Sequence, residues 1–130
     1  MGRAAAFMMG VILGSHGAVG LFVHDTHLLG IFNVDPFADA TYLILAAMLL
    51  WVGLTDSSTL ALRAVHGITA VALIGLGLLG LIDDTVFGLL PTGLTLMDFF
   101  VFFALGAVSV VSALLPRVSE PLLNSGVPLN

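Results

Sequence analysis

Apolar residues run through this chain in four long blocks, and polar residues are confined to short breaks between them. A membrane helix needs about 20 mostly apolar residues to cross roughly 30 Å of hydrocarbon. Four segments meet that length: residues 4–23 ("AAAFMMGVILGSHGAVGLFV"), 36–54, 60–82 and 96–115. The breaks carry helix-end chemistry. Asp35-Pro36 fits an N-cap followed by a first-turn proline, with the Asp35 carboxylate expected to accept free backbone N–H groups. "TLMD" (residues 95–98) fits a capping box with aspartate in place of the usual Glu or Gln. "TDSST" (residues 55–59) forms a turn and cap ahead of the third block, and Pro116 closes the fourth. The expected architecture is all-α: an integral membrane four-helix bundle forming a single domain over residues 1–130, with a short tail at 116–130.

Composition agrees. Of 130 residues, 59% are hydrophobic and 8% charged, against roughly 25% charged in soluble domains. So few charges cannot cover a water-facing surface, so the expected solvent is the lipid bilayer. The absence of cysteine excludes disulfides and thiolate chemistry. A net charge of −5, with no lysine, argues against nucleic acid as a partner.

Charge placement predicts direction. With four crossings, Arg3, Arg63 and Arg117 fall on one side, and Asp25, Asp35, Asp39, Asp83, Asp84 and Asp98 on the other. The positive-inside rule makes the arginine side cytoplasmic, with both termini inside and the protein multi-pass in the inner (plasma) membrane. The first block is a poor match to a cleaved signal peptide because "GAVG" imitates a cleavage site weakly. "MGRAAA" lacks the Ser or Thr of a myristoylation signal.

The halves resemble each other. "GLFVHDTHLLGIF" (residues 20–32) matches "GLIDDTVFGLL" (residues 80–90), with Asp25-Thr26 opposite Asp84-Thr85, and each copy leads into a capped helix with an early aspartate, Asp39 or Asp98. This predicts two repeated helical hairpins of the same orientation. Ala6, Gly10, Gly14 and Ala18 make a smooth face in the first block, and Gly67, Gly75, Gly77 and Gly80 in the third. Small faces let membrane helices approach closely. The rings of "FFVFF" (residues 99–103) are expected in core or lipid contact, with a pigment or quinone surface as the alternative.

"LLGIFNVDPFADATYLILAAMLLWVGL" (residues 28–54) resembles the small bacterial membrane proteins grouped as domain of unknown function 4383, whose pattern is a Leu-Gly-Leu-Phe-x-Val-Asn-Pro run entering a second helix. "GLTLMDFFVFFALGAVSVVSALL" (residues 93–115) resembles the last helix of that family. The resemblance implies a four-helix membrane protein and supplies no activity. The family places histidines two and six residues after the proline and four after the last helix's aspartate; here these positions are Ala38, Tyr42 and Phe102. Asp35 stands where the family has asparagine.

Candidate chemistry is sparse. His24 and His27 are three residues apart at the exit of the first block, and Asp25, Asp35 and Asp39 could complete a divalent metal site there, since zinc accepts His and carboxylate ligands. The plainer reading is interfacial residues satisfied by water and loop backbone. His16 lies inside the first block, where an ionisable group is a functional candidate. It is either a structural hydrogen-bonding residue or a haem, pigment or proton-relay ligand. His66 and Arg63 lie nearer the opposite side, with Arg63 expected to snorkel toward headgroups. Asp39 and Asp98 are expected near helix N-termini as capping groups. No GxSxG, HExxH or phosphate-loop motif occurs. The leading expectation is a non-enzymatic accessory or scaffold subunit that packs against other membrane proteins or itself, without a cofactor. A cofactor- or metal-binding membrane protein is the alternative, and a small cation channel or transporter the third reading.

Overall fold

The computed structural model describes residues 2–22, 27–28, 32–33 and 35–115. The described residues form four helices: α1 (Gly2–Gly20), α2 (Pro36–Leu54), α3 (Thr59–Ile82) and α4 (Leu96–Leu114). Two short strands, β1 (His27–Leu28) and β2 (Phe32–Asn33), pair antiparallel in the α1–α2 connection. Three helices, α2, α3 and α4, are long and apolar enough to cross a membrane. The chain is a small multi-pass membrane protein built as a four-helix bundle.

The first helix departs from expectation. It begins at Gly2 and stops at Gly20, not at Val23, which lies outside the described residues. It is also absent from the set of helices apolar enough to cross. Five glycines, Arg3, Ser15 and His16 dilute its apolar content. The other blocks fall within one residue of their expected bounds.

Helix ends follow their local chemistry, with one exception. Ser58 caps α3 by accepting the Ala61 N–H at 3.1 Å. Thr95 and Asp98 form the expected capping box of α4. Asp35 occupies the N-cap position of α2, with Pro36 behind it, but its side chain makes no capping bond. The carboxylate is instead engaged by the N–H and hydroxyl of Thr92 in the α3–α4 loop and by the Asn33 amide, three donors that outcompete the helix end.

α1 packs chiefly on α2, and α3 on α4. The α1–α2 seam is glycine on side chain: a Cβ on Gly10 would meet Leu50, on Gly14 Ala46, on Gly17 Leu43 and on Gly20 Asp39. Ala18, expected on this face, is exposed, and Gly17 takes its place. Steps of four residues drift about 40° round a helix of 3.6 residues per turn, so the seam returns by a step of three. In α3 the expected small face splits. Gly77 and Gly80 receive Phe103 and Phe99, whereas Gly67 and Gly75 face open space.

These contacts share a spacing, as the expected repeat would require. Gly17 on Leu43 recurs as Gly77 on Phe103, Gly20 on Asp39 as Gly80 on Phe99, and Gly14 on Ala46 as Ile74 on Gly106. Every position in the second set lies 60 residues after its counterpart. The same shift relates Arg3 to Arg63, the buried Leu13 to Leu73, and Tyr42 to Phe102. The α1–α2 and α3–α4 hairpins pack alike at these positions and are joined by a core that includes Leu13, Leu45, Leu49, Leu62, Leu73 and Phe102. One end of the bundle carries the C-termini of α1 and α3, the N-termini of α2 and α4, and Asp35, Asp39, Asp83, Asp84 and Asp98. The other carries Arg3, Arg63 and the α2–α3 turn with Asp56. Arg117 lies outside the described residues.

Candidate functional site

At the acidic end, buried polar groups stitch the hairpins together. Asp98, fully buried at the start of α4, accepts the Asn33 N–H at 2.9 Å on Oδ1 and 3.1 Å on Oδ2. Its Oδ2 also accepts the Thr95 N–H at 2.8 Å and the Thr95 hydroxyl at 3.0 Å. Asn33 Nδ2 donates to Asp35 Oδ2 at 2.8 Å, the Gly93 carbonyl at 2.8 Å and Thr92 Oγ1 at 2.9 Å, and Asn33 Oδ1 accepts the Asp35 N–H at 2.9 Å. Asp35 Oδ2 accepts both the hydroxyl and the N–H of Thr92, at 2.7 and 3.1 Å. Gly93 has φ of 82°, a backbone conformation that disfavours a side chain, and this bend turns its carbonyl toward Asn33. Asp35 and Asp98 are thereby engaged as acceptors of backbone, amide and hydroxyl donors. This network is a latch across residues 33–35 and 92–98.

Thr92 is the hinge pin of the latch. Thr92→Val removes its hydroxyl bonds to Asp35 and Asn33 while keeping shape. A loss of about 1–2 kcal/mol is expected, as for one or two bonds involving a charged group. Thr92→Ser should stay near the parent in thermal unfolding in detergent.

One turn deeper, α2 presents a second pair of oxygens. Asp39 and Tyr42 are each 1% exposed, and Asp39 Oδ1 and the Tyr42 hydroxyl have no hydrogen-bond partner. They share a helix face, three residues apart. Asp39 abuts Gly20 at the end of α1. The Tyr42 ring lies 4.6 Å from the ring of His16 and 6.2 Å from that of Phe102. His16 is half-buried, hydrogen-bonded to the Asn33 backbone and within the field of Asp98. Two unsatisfied oxygens beside an imidazole can hold a water, a proton or a small cation.

The expected site residues therefore divide. His16 and Asp39 join the acidic-end cluster beside Asp35, whose carboxylate is occupied by the latch. His24 and Asp25 lie outside the described residues, and of His27 only the backbone is described. Among the described residues, no group of three or more His, Asp or Glu side chains is placed to hold a metal ion. His66 sits at the arginine end, where Nε2 meets the Gly2 carbonyl at 2.8 Å. It is remote in sequence and fold from His16.

No family model, curated protein or solved structure matches the chain. The resemblance over residues 28–54 thus contributes no site residue. Ala38, Tyr42 and Phe102, where that resemblance would place histidines, are buried apolar and aromatic core here.

Sequence reasoning missed Asn33, Thr92 and Tyr42. Asn33 carried a local signal, since Asn-x-Asp favours a side chain that bonds the backbone two residues on. Thr92 carried none, because its partners lie 57 and 59 residues away.

Proposed function

We propose that this chain is a non-enzymatic accessory or scaffold subunit of a bacterial plasma-membrane complex. In this reading α1 crosses beside α2 as a fourth span, and both termini are cytoplasmic. The packing of α1 on α2 from Phe7 against Gly53 to Gly20 against Asp39 supports a shared crossing. Arg3 and Arg63 at one end support the orientation.

The observation that carries the reading is the outer face of α4. Of the three crossing helices, α4 buries the smallest share of itself within the molecule. Its exposed stripe runs Phe100, Ala107 and Val111, with half-buried Ala104 between the first two. Small residues at the centre of an apolar stripe permit close approach of another helix, the main source of helix association in lipid. A photoreactive residue at Ala107 in native membranes should give one discrete adduct with a protein chain, while the same group at the exposed Val71 on α3 should not. Only lipid adducts at Ala107, with the protein migrating as a lone monomer, would contradict this function.

A second reading, a cofactor- or ion-binding protein, is favoured by Asp39 Oδ1 and the Tyr42 hydroxyl. Stoichiometric metal or a visible absorption band in the purified protein, lost in Tyr42→Phe or His16→Ala, would replace the first reading with this one.

A further inference from the structure

The two hairpins pack alike at positions where their chemistry differs. The 60-residue shift sets His16 of α1 opposite Leu76 of α3, and Asp39 and Tyr42 of α2 opposite Phe99 and Phe102 of α4. The notches correspond: Asp39 lies against Gly20 as Phe99 lies against Gly80. Leu76 and Phe102 belong to the buried core, and Phe99 packs on it. The second hairpin thus builds all three positions from apolar side chains. Hairpin packing alone does not call for an acid, a phenol and an imidazole there.

Asp39 is the costliest of the three. It is 1% exposed, and its Oδ1 is buried without a hydrogen-bond partner. Asp35 and Asp98 differ, since each accepts several donors within the latch. A buried carboxylate without donors is strongly unfavourable, and such a group neutralises instead.

The surroundings select what neutralises it. A Cβ on Gly20 would overlap the Asp39 carboxyl group, so that group already fills its notch. A metal ion takes a shell of several ligands, and among the described residues no group of three or more His, Asp or Glu side chains could supply one. A proton needs one oxygen and no added space. Among the described residues, four titratable groups face this position. Asp35 stands at the N-cap of α2 within electrostatic reach, and Tyr42 lies one turn deeper on α2. His16 of α1 lies against the Tyr42 ring, and Asp98 of α4 acts on both Tyr42 and His16.

We infer that Asp39 is a proton-binding site: its carboxyl group holds one proton in the α1–α2 seam and exchanges it with water at the acidic end of the bundle. The O–H bond forms on Asp39 with a proton from water and breaks when that proton returns; no electrons move. Asp, Glu and His are the usual proton-carrying groups of membrane helices. The inference rests on the ion-binding reading and names the ion.

Infrared difference spectroscopy of the full chain in neutral detergent tests it. The parent should show a carboxylic-acid carbonyl band in neutral buffer, shifted to lower frequency in heavy water and lost in alkaline buffer. Asp39→Asn should lose that band, with an unfolding midpoint at or above the parent's, because the amide keeps the neutral shape. Asp39→Leu, which follows the apolar pattern of the second hairpin, should fold and lack the band too; should Asp39→Asn misfold, Asp39→Leu and the parent spectrum decide. Absence of the band from the parent in neutral buffer overturns the proposal, as does its persistence in a folded Asp39 variant. Sodium chloride at fixed pH should leave the band in place. Its removal by sodium would overturn the proton assignment and leave the ion-binding reading standing, whereas a parent with neither band nor bound metal fails both.

Discussion

Replacing Asp98 with alanine is expected to destabilise the bundle by about 2–4 kcal/mol, the cost of two backbone donors losing a charged acceptor together with a helix cap. Asp98 Oδ1 and Oδ2 accept the N–H groups of Asn33 and Thr95 and the Thr95 hydroxyl. Alanine leaves the buried Asn33 N–H without an acceptor and the N–H of half-buried Thr95 dependent on water. Each orphaned donor costs about 1–3 kcal/mol, so the sum exceeds the loss of a single bond. Part of the loss is local, because the capping box of α4 goes with the carboxylate. The remainder falls on the latch, since Asn33 is released from α4. Asp98→Asn keeps one acceptor oxygen and should fall between the two. Thermal or denaturant unfolding in detergent, with hydrogen exchange at residues 92–98, checks both; a shift below about 1 kcal/mol for the alanine variant would exclude a latch role.

The second large effect is expected at Gly53. A Cβ there would stand 2.8 Å from the Phe7 nitrogen, 3.1 Å from the Phe7 Cα and 3.2 Å from the Arg3 carbonyl oxygen. All three are backbone atoms, so no rotamer change relieves the contact and α1 must move away from α2. Gly53→Ala should cost about 2–3 kcal/mol, within the range for overpacking a closed interface. Gly10→Ala should cost less, because the nearest obstructing atoms belong to the Leu50 side chain. Gly75→Ala is the control: nothing lies within 4 Å, and better helix propensity should stabilise α3 by up to about 1 kcal/mol. If Gly53→Ala and Gly75→Ala melt alike, the α1–α2 seam is not the close contact described here.

Much of the fold was legible because its signals are local. Block lengths, the Asp35-Pro36 and Thr95–Asp98 cap signatures and the placement of Arg3 and Arg63 each depend on a few adjacent residues. The connecting segments suggested a duplication that set Asp39 opposite Asp98, but Asp25 and Thr26 lie outside the described residues and the helix seams set Asp39 opposite Phe99. Its stronger form, the equivalent seams of Gly17 on Leu43 and Gly77 on Phe103, needed the helix pairing. α1 has the expected length, but its five glycines leave it less apolar than the other three helices. The site was less legible. Asp35 had the residue type and place of a cap, but the long-range donors of Thr92 and Asn33 redirect its carboxylate. Competition between a local helix end and a loop 57 residues away is invisible to any window-based reading. The rings of residues 99–103 divided between roles: Phe99 and Phe103 fill glycine notches, Phe102 is core and Phe100 faces outward.

The acidic latch and the arginine end of the bundle are expected on opposite sides of a membrane. The chain contains no cysteine, so single cysteines report position without background. Asp56→Cys marks the α2–α3 turn, and Phe87→Cys the exposed α3–α4 loop. A membrane-impermeant maleimide applied to one side of sealed vesicles should label one position and spare the other, with the pattern reversing in inverted vesicles. Labelling of both positions from the same side would contradict the account.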